Sequence, residues 1–249
     1  MFKVLFVLTI LLEFVTVPMF LKNYWPQKCK KSMLFKMISA SLFVLCGFCA
    51  IKISGNNTPY ANLIFWGLVF GWIGDLLLHW LTPKFVVYAG GLIAFLTGHI
   101  FYIVAFQKAI ETTYPGASVL TWYEILIAVV VVGVILAIAL MKNIVKGREV
   151  MVFGGVAYGL ILIAMLVKSA RYVIGEWAYG TNDHMVGIFF TVFVAAVLFV
   201  TSDLLLGYII GFKKNDKRIL RIINIATYFP AQILFACSIL FVQSAYSLY

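Results

Sequence analysis

Gly74-Asp75-Leu76-Leu77-Leu78 sets one carboxylate inside an apolar run, and Ser202-Asp203-Leu204-Leu205-Leu206 repeats the pattern. An acid at membrane depth costs about 2.5–3.5 kcal/mol on insertion scales. Such a residue faces a protein interior or a water-filled cavity, and it marks a candidate functional site. The two Asp-Leu-Leu-Leu stretches lie 128 residues apart (75 to 203) in a chain of 249. They read as two half-sites of one buried polar centre.

The surrounding composition decides the class. Hydrophobic residues make up 64% of the chain and charged residues 11%, against about 25% charged in soluble domains. The apolar runs are about 20 residues long, the length of a membrane-crossing helix. They do not alternate as barrel strands do. In lipid, only a helix satisfies its own backbone over such a run. The chain is therefore expected to be an all-α, multi-pass integral membrane protein of a cell or endoplasmic-reticulum-type membrane. The net charge of +10 does not indicate nucleic acid, because the basic residues sit in short links where membrane topology explains them. Cys29, Cys46, Cys49 and Cys237 form no framework; Cys46-Gly47-Phe48-Cys49 lies within a predicted helix, where thiols act as small packing residues.

Eight transmembrane segments are predicted: Phe2 to Leu21, Leu34 to Ile53, Tyr60 to Leu81, Phe85 to Gln107, Trp122 to Met141, Val150 to Ala170, Met185 to Phe212 and Ile222 to Tyr246. Breaker-rich links separate them, such as Ser54-Gly55-Asn56-Asn57-Thr58-Pro59. Arg171 to His184 reads as the longest polar loop. The whole chain, 1–249, is expected to form one membrane domain with parallel four-helix halves of about 1–119 and 120–249. Odd-numbered links and their flanks carry 14 Lys or Arg and the opposite side 5. The positive-inside rule then puts the odd links in the cytoplasm and both termini outside.

On this topology Asp75 and Asp203 lie at similar depths in the cytoplasmic half. Adding 128 to His99 gives Thr227, beside Tyr228, so each half offers an acid on one helix and a polar group on the next. Asp75 and His79 are spaced i, i+4 and share a helix face. One Asp–His pair is not a metal site, since catalytic zinc takes about three protein ligands. No metal or cofactor is expected. His79, near the interface, reads as solvated; Glu13, in mid-segment, reads as a partner for His99 or a lysine. Tyr228 and Gln232 face one way, and Pro230 between them frees a carbonyl. Two carboxylates at this depth suit acid/base hydrolysis of a lipid bond near the head group, as glycosidases use paired acids on an oxocarbenium-like transition state. Neither a Gly-x-Ser-x-Gly elbow nor an HExxH motif occurs.

Four motifs in order carry a resemblance: Gly74-Asp75-Leu-Leu-Leu, Gly91-Leu-Ile-Ala-Phe-Leu-Thr-Gly98-His99-Ile-Phe-Tyr102, Ser202-Asp203-Leu-Leu-Leu-Gly207 and Tyr228-Phe-Pro-Ala-Gln232. Together they resemble the YhhN / lysoplasmalogenase family of multi-pass membrane proteins. The resemblance implies a hydrolase that cleaves the vinyl ether bond of lysoplasmalogens, releasing a fatty aldehyde and glycerophosphocholine or glycerophosphoethanolamine. It implies functional roles for Asp75, His99, Asp203, Tyr228 and Gln232, with a lysophospholipid as substrate and membrane lipid as surroundings. Two other readings stay open on the residues. A lipid or ion transporter built from two repeats suits buried acids equally well. An intramembrane aspartyl protease also needs paired acids, but Trp72-Ile73-Gly74-Asp75 is not Gly-x-Gly-Asp.

Overall fold

The computed structural model describes residues 1–25, 28–55, 58–80, 85–141, 149–179, 184–211 and 217–246. Eight helices run through them: α1 (Phe2–Tyr24), α2 (Lys30–Ser54), α3 (Pro59–Leu78), α4 (Phe85–Thr113), α5 (Trp122–Met141), α6 (Glu149–Tyr179), α7 and α8 (Arg218–Tyr246). α7 is built as Met185–Ile188, a π-helical stretch Phe189–Val194, and Ala195–Gly211. Seven helices are long and apolar enough to cross a membrane. The apolar part of α5, Trp122–Ala137, is shorter. Lys84, Lys142, Lys146, Arg148, Asp183, Lys213 and Lys214, which bear on the charge count and the polar loops, lie outside the described residues.

Local chemistry explains the helix ends. A reciprocal capping box starts α2: Ser32 N donates to Cys29 Sγ, and Cys29 N donates to Ser32 Oγ at 2.9 Å. Gly55 closes α2 with φ 73°, a left-handed turn that glycine adopts without strain. Thr58 accepts from Ala61 N and Pro59 opens α3, where its missing N–H costs nothing. Lys28 Nζ donates to Leu78 O at 2.6 Å, satisfying a carbonyl left free at the end of α3.

The expected loop 171–184 is largely helix: α6 continues to Tyr179. Its last turns bury Tyr172, Val173 and Glu176 against the bundle, and that packing outweighs their polar neighbours. Pro230 lies within α8 without ending it. The C-terminal helix is central, packing on α7, α2, α3 and α1, while α5 packs on α6. α3 packs along α4 over much of its length. Glycines on α3 permit it: a Cβ at Gly67 would come within 2.2 Å of the Tyr102 ring.

Candidate active site

Asp75 sits four residues before the α3 cap at His79, about 6 Å from the helix end at 1.5 Å per residue. Asp203 lies eight residues before Gly211, about 12 Å from the end of α7. Both are buried, at 1% and 8% exposure. A buried charge requires partners, and the two acids have different ones.

Asp75 receives two donors. Lys36 on α2 places Nζ 2.9 Å from Oδ1, and Tyr228 on α8 donates to Oδ2 at 2.8 Å. Gln232 Nε2 donates to the Tyr228 hydroxyl at 3.1 Å, and Tyr102 on α4 donates to Gln232 Oε1 at 2.7 Å. The chain Tyr102–Gln232–Tyr228–Asp75–Lys36 is thus continuous across four helices. With an ammonium and a hydroxyl both donating, the carboxyl has the surroundings of an ionised carboxylate.

Asp203 accepts from Tyr158 on α6 through Oδ2, and His99 on α4 points Nε2 at that oxygen from 3.5 Å. His99 Nδ1 is 2.6 Å from Phe95 O, a carbonyl that can only accept. Nδ1 therefore carries hydrogen, and a neutral ring leaves a lone pair on Nε2. Among the described residues that nitrogen has no hydrogen-bond partner. Two lone pairs facing across 3.5 Å repel; one proton on either the ring or the carboxyl makes the contact attractive. The His99–Asp203 pair is accordingly a place where a transferable proton can reside.

The two acid networks adjoin each other. Aromatic rings link their surroundings: Tyr228 stands edge-on to Phe199 at 5.4 Å, and Phe199 edge-on to His99 at 4.7 Å. In place of one shared group of partners, the expected buried polar centre holds two separately partnered carboxyls with packed rings between them.

All five expected residues, Asp75, His99, Asp203, Tyr228 and Gln232, fall in this region. Two other expectations need correction. His79 is not solvated but 1% exposed, with Nε2 2.9 Å from Ser32 Oγ and its ring between Phe20 and Tyr24. Glu13 does not reach His99; Thr16 donates to it at 3.4 Å, and among the described residues Oε1 has no partner. Thr227, 128 positions after His99, bonds its own helix at Ile223 O and Asn224 O, while its neighbour Tyr228 reaches Asp75.

Sequence reasoning missed Lys36 and Tyr158. Lys36 reads as one more basic residue near a link, and tyrosines are too common in this chain (13) to single one out. It also missed a second charged cluster at the far end of α4, α5 and α6. There Lys168 Nζ lies 2.9 Å from Glu124 and donates to Gln107 Oε1 at 2.8 Å, while Arg171 reaches Glu124 at 3.3 Å. Among the described residues no group of three His, Cys, Asp or Glu gathers as metal ligands would.

The YhhN family model matches residues 31–239, which contain every residue of both acid networks. No curated protein matches the chain, and no solved structure does. The match covers most of the sequence, and the chain belongs to the YhhN family.

Proposed function

We propose that this protein is a membrane hydrolase of lysoplasmalogenase type, acting on the vinyl ether of a single-chain phospholipid by carboxylate acid/base chemistry. The observation that carries the reading is the contrast between the acids. Asp75 is dressed as a carboxylate by Lys36 and Tyr228, while Asp203 faces a histidine nitrogen across a gap that needs a proton.

That division suits vinyl ether hydrolysis. The proton of the His99–Asp203 pair goes to the vinyl carbon remote from oxygen, and the C=C π electrons form the new C–H bond. Positive charge then spreads over the other carbon and the ether oxygen. The Asp75 carboxylate offsets it, as preorganised charge does for other cationic transition states. Water adds to the cationic carbon and returns its proton to the pair. The hemiacetal then collapses: its hydroxyl proton passes to the ether oxygen, the C–O bond breaks, and aldehyde and glycerophosphate alcohol leave. One water is consumed, and the pair ends as it began. Gln232 and Tyr102 position Tyr228.

The helix neighbours favour a repeat. α2 and α8 flank the Asp75 helix, while α6 packs on the Asp203 helix and on α4, which carries His99. In this reading the odd links face the cytoplasm and both termini lie outside, so substrate enters from the cytoplasmic leaflet.

The test is aldehyde release from a lysoplasmenyl lipid by the purified protein in detergent. Stoichiometric aldehyde with loss of the vinyl ether supports the reading. Movement of the unchanged lipid across vesicles without aldehyde rejects it in favour of a transporter.

A further inference from the structure

α1 exposes Leu11, Leu12, Phe14 and Val15 and buries Thr9, Glu13, Thr16 and Phe20. The buried four are spaced i, i+4, i+7 and i+11, one helix face, and three of them carry oxygen. α1 packs along α2 on this face. Small side chains suffice for close packing of membrane helices, so packing alone does not explain a carboxyl there. Glu13 is 7% exposed. It lies midway between Phe2 and Tyr24, about 16 Å from either end at 1.5 Å per residue, and so at the middle of the bilayer.

The hydroxyl hydrogens on this face are all committed. Thr9 Oγ1 donates to Phe6 O at 2.7 Å, Ser39 Oγ on α2 donates to Thr16 Oγ1 at 2.7 Å, and Thr16 Oγ1 donates to Glu13 Oε2 at 3.4 Å. A hydroxyl has one hydrogen and two lone pairs, so Thr9 and Ser39 have only lone pairs left to offer. Glu13 Oε1 is buried and, among the described residues, has no hydrogen-bond partner. The hydroxyl chain donates toward the carboxyl, as hydroxyls do toward an anion. An anion at this depth requires a counter-charge. Lys36, three residues before Ser39 on α2, is held on Asp75 at 2.9 Å.

Acceptors in excess beside a carboxylate suit a cation that engages several oxygens at once. An all-oxygen set selects a hard ion over a transition metal. One carboxylate balances one positive charge, whereas a divalent ion would leave net charge at the bilayer centre. We infer that Glu13, with Thr9, Thr16 and Ser39, binds an alkali-metal cation between α1 and α2. This site goes beyond the hydrolase reading and uses none of the residues given a role in it. Because Ser39 lies one turn from Lys36, the bound ion adds positive charge beside the Lys36–Asp75 pair.

Sodium is the probe. Retention of radioactive sodium by the full-length protein in detergent is measured, with thermal unfolding in sodium chloride and in choline chloride at equal ionic strength. Wild type retains sodium and melts at a higher temperature in sodium than in choline, since a ligand of the folded state stabilises it. Glu13→Gln keeps the side-chain shape, loses the charge and loses both responses. Thr16→Val and Ser39→Ala each weaken sodium binding about tenfold, while Thr16→Ser keeps most of it. Should Glu13→Gln fail to fold, the Thr16 and Ser39 variants decide. Wild type that retains no sodium and melts alike in both salts overturns the site and leaves Glu13 a protonated carboxyl. Sodium binding that survives Glu13→Gln, or that Thr16→Val and Ser39→Ala leave unchanged, also overturns it. Neither readout involves lipid, so a failed aldehyde assay removes the hydrolase reading and leaves the cation site standing.

Discussion

Tyr228 on α8 donates its hydroxyl to Asp75 on α3 across 153 positions of sequence. The reverse exchange occurs at the other acid, where His99 from the first half faces Asp203 from the second. Each half thus supplies an acid to a group from the other half, and neither half alone holds both partners of its own acid.

Asp203→Asn is expected to lower aldehyde release by at least about 100-fold, the usual contribution of a general acid or base. An amide keeps the shape and can still accept from Tyr158, but it supplies no proton. Thermal unfolding in detergent is expected to stay close to wild type. Turnover near the wild-type rate would refute the role given to Asp203.

Lys36→Met removes one member of a buried pair and leaves the Asp75 charge with Tyr228 alone. Breaking such pairs costs about 3–5 kcal/mol, and the partial exposure of Lys36 favours the lower end. Adding Asp75→Asn to Lys36→Met is expected to recover most of the stability and none of the activity. A double-mutant cycle on unfolding checks the first part. Simple additivity would mean that the pair is not coupled.

Gly71→Ala is a steric probe of the same network. A Cβ there would sit 2.6 Å from Gln232 Nε2, which donates to Tyr228. Overpacking costs about 1–3 kcal/mol, and the displaced amide is expected to reduce turnover beyond what lost stability explains. Gly133→Ala on α5 meets nothing within 4 Å and is expected to change neither. Assay and melting of both variants side by side decide the matter.

Lys28 supplies a pH dependence. Burial, then the charges of Lys36 on α2 and Arg221 on α8, lower its amine to about 8, and His79 at the end of α3 is a further titratable neighbour. The unfolded chain keeps the Lys28 proton to higher pH, so stability rises with pH between about 8 and the ordinary lysine range. Unfolding of wild type and Lys28→Gln across this pH range checks this, since the variant should lack the rise.

Helices and acids were legible because each contrasts with its surroundings. A carboxylate amid leucines, or a proline-flanked break between apolar runs, is visible without coordinates. Tyr158 and Lys36 were not, because their meaning comes from a neighbour far along the chain. The same applies to Ser32, which gives His79 its partner. Helical residues 171–179 were read as loop because periodicity counts charges without knowing that Glu176 and Tyr172 turn inward. The π-helical stretch Phe189–Val194 has only apolar and threonine side chains and leaves no mark in composition.

The central place of α8 bears on how the protein is made. Synthesis delivers Lys36 before Asp75, so that acid can enter the bilayer with a counter-charge already present. Tyr228 and Gln232 emerge after both acids, on α8. Until then the hydroxyls of Tyr60 and Tyr102, which later meet Ser238 and Gln232, lack those acceptors. A nascent chain halted before α8 would carry an inserted but incomplete centre, a form that membrane quality control could distinguish from the finished one.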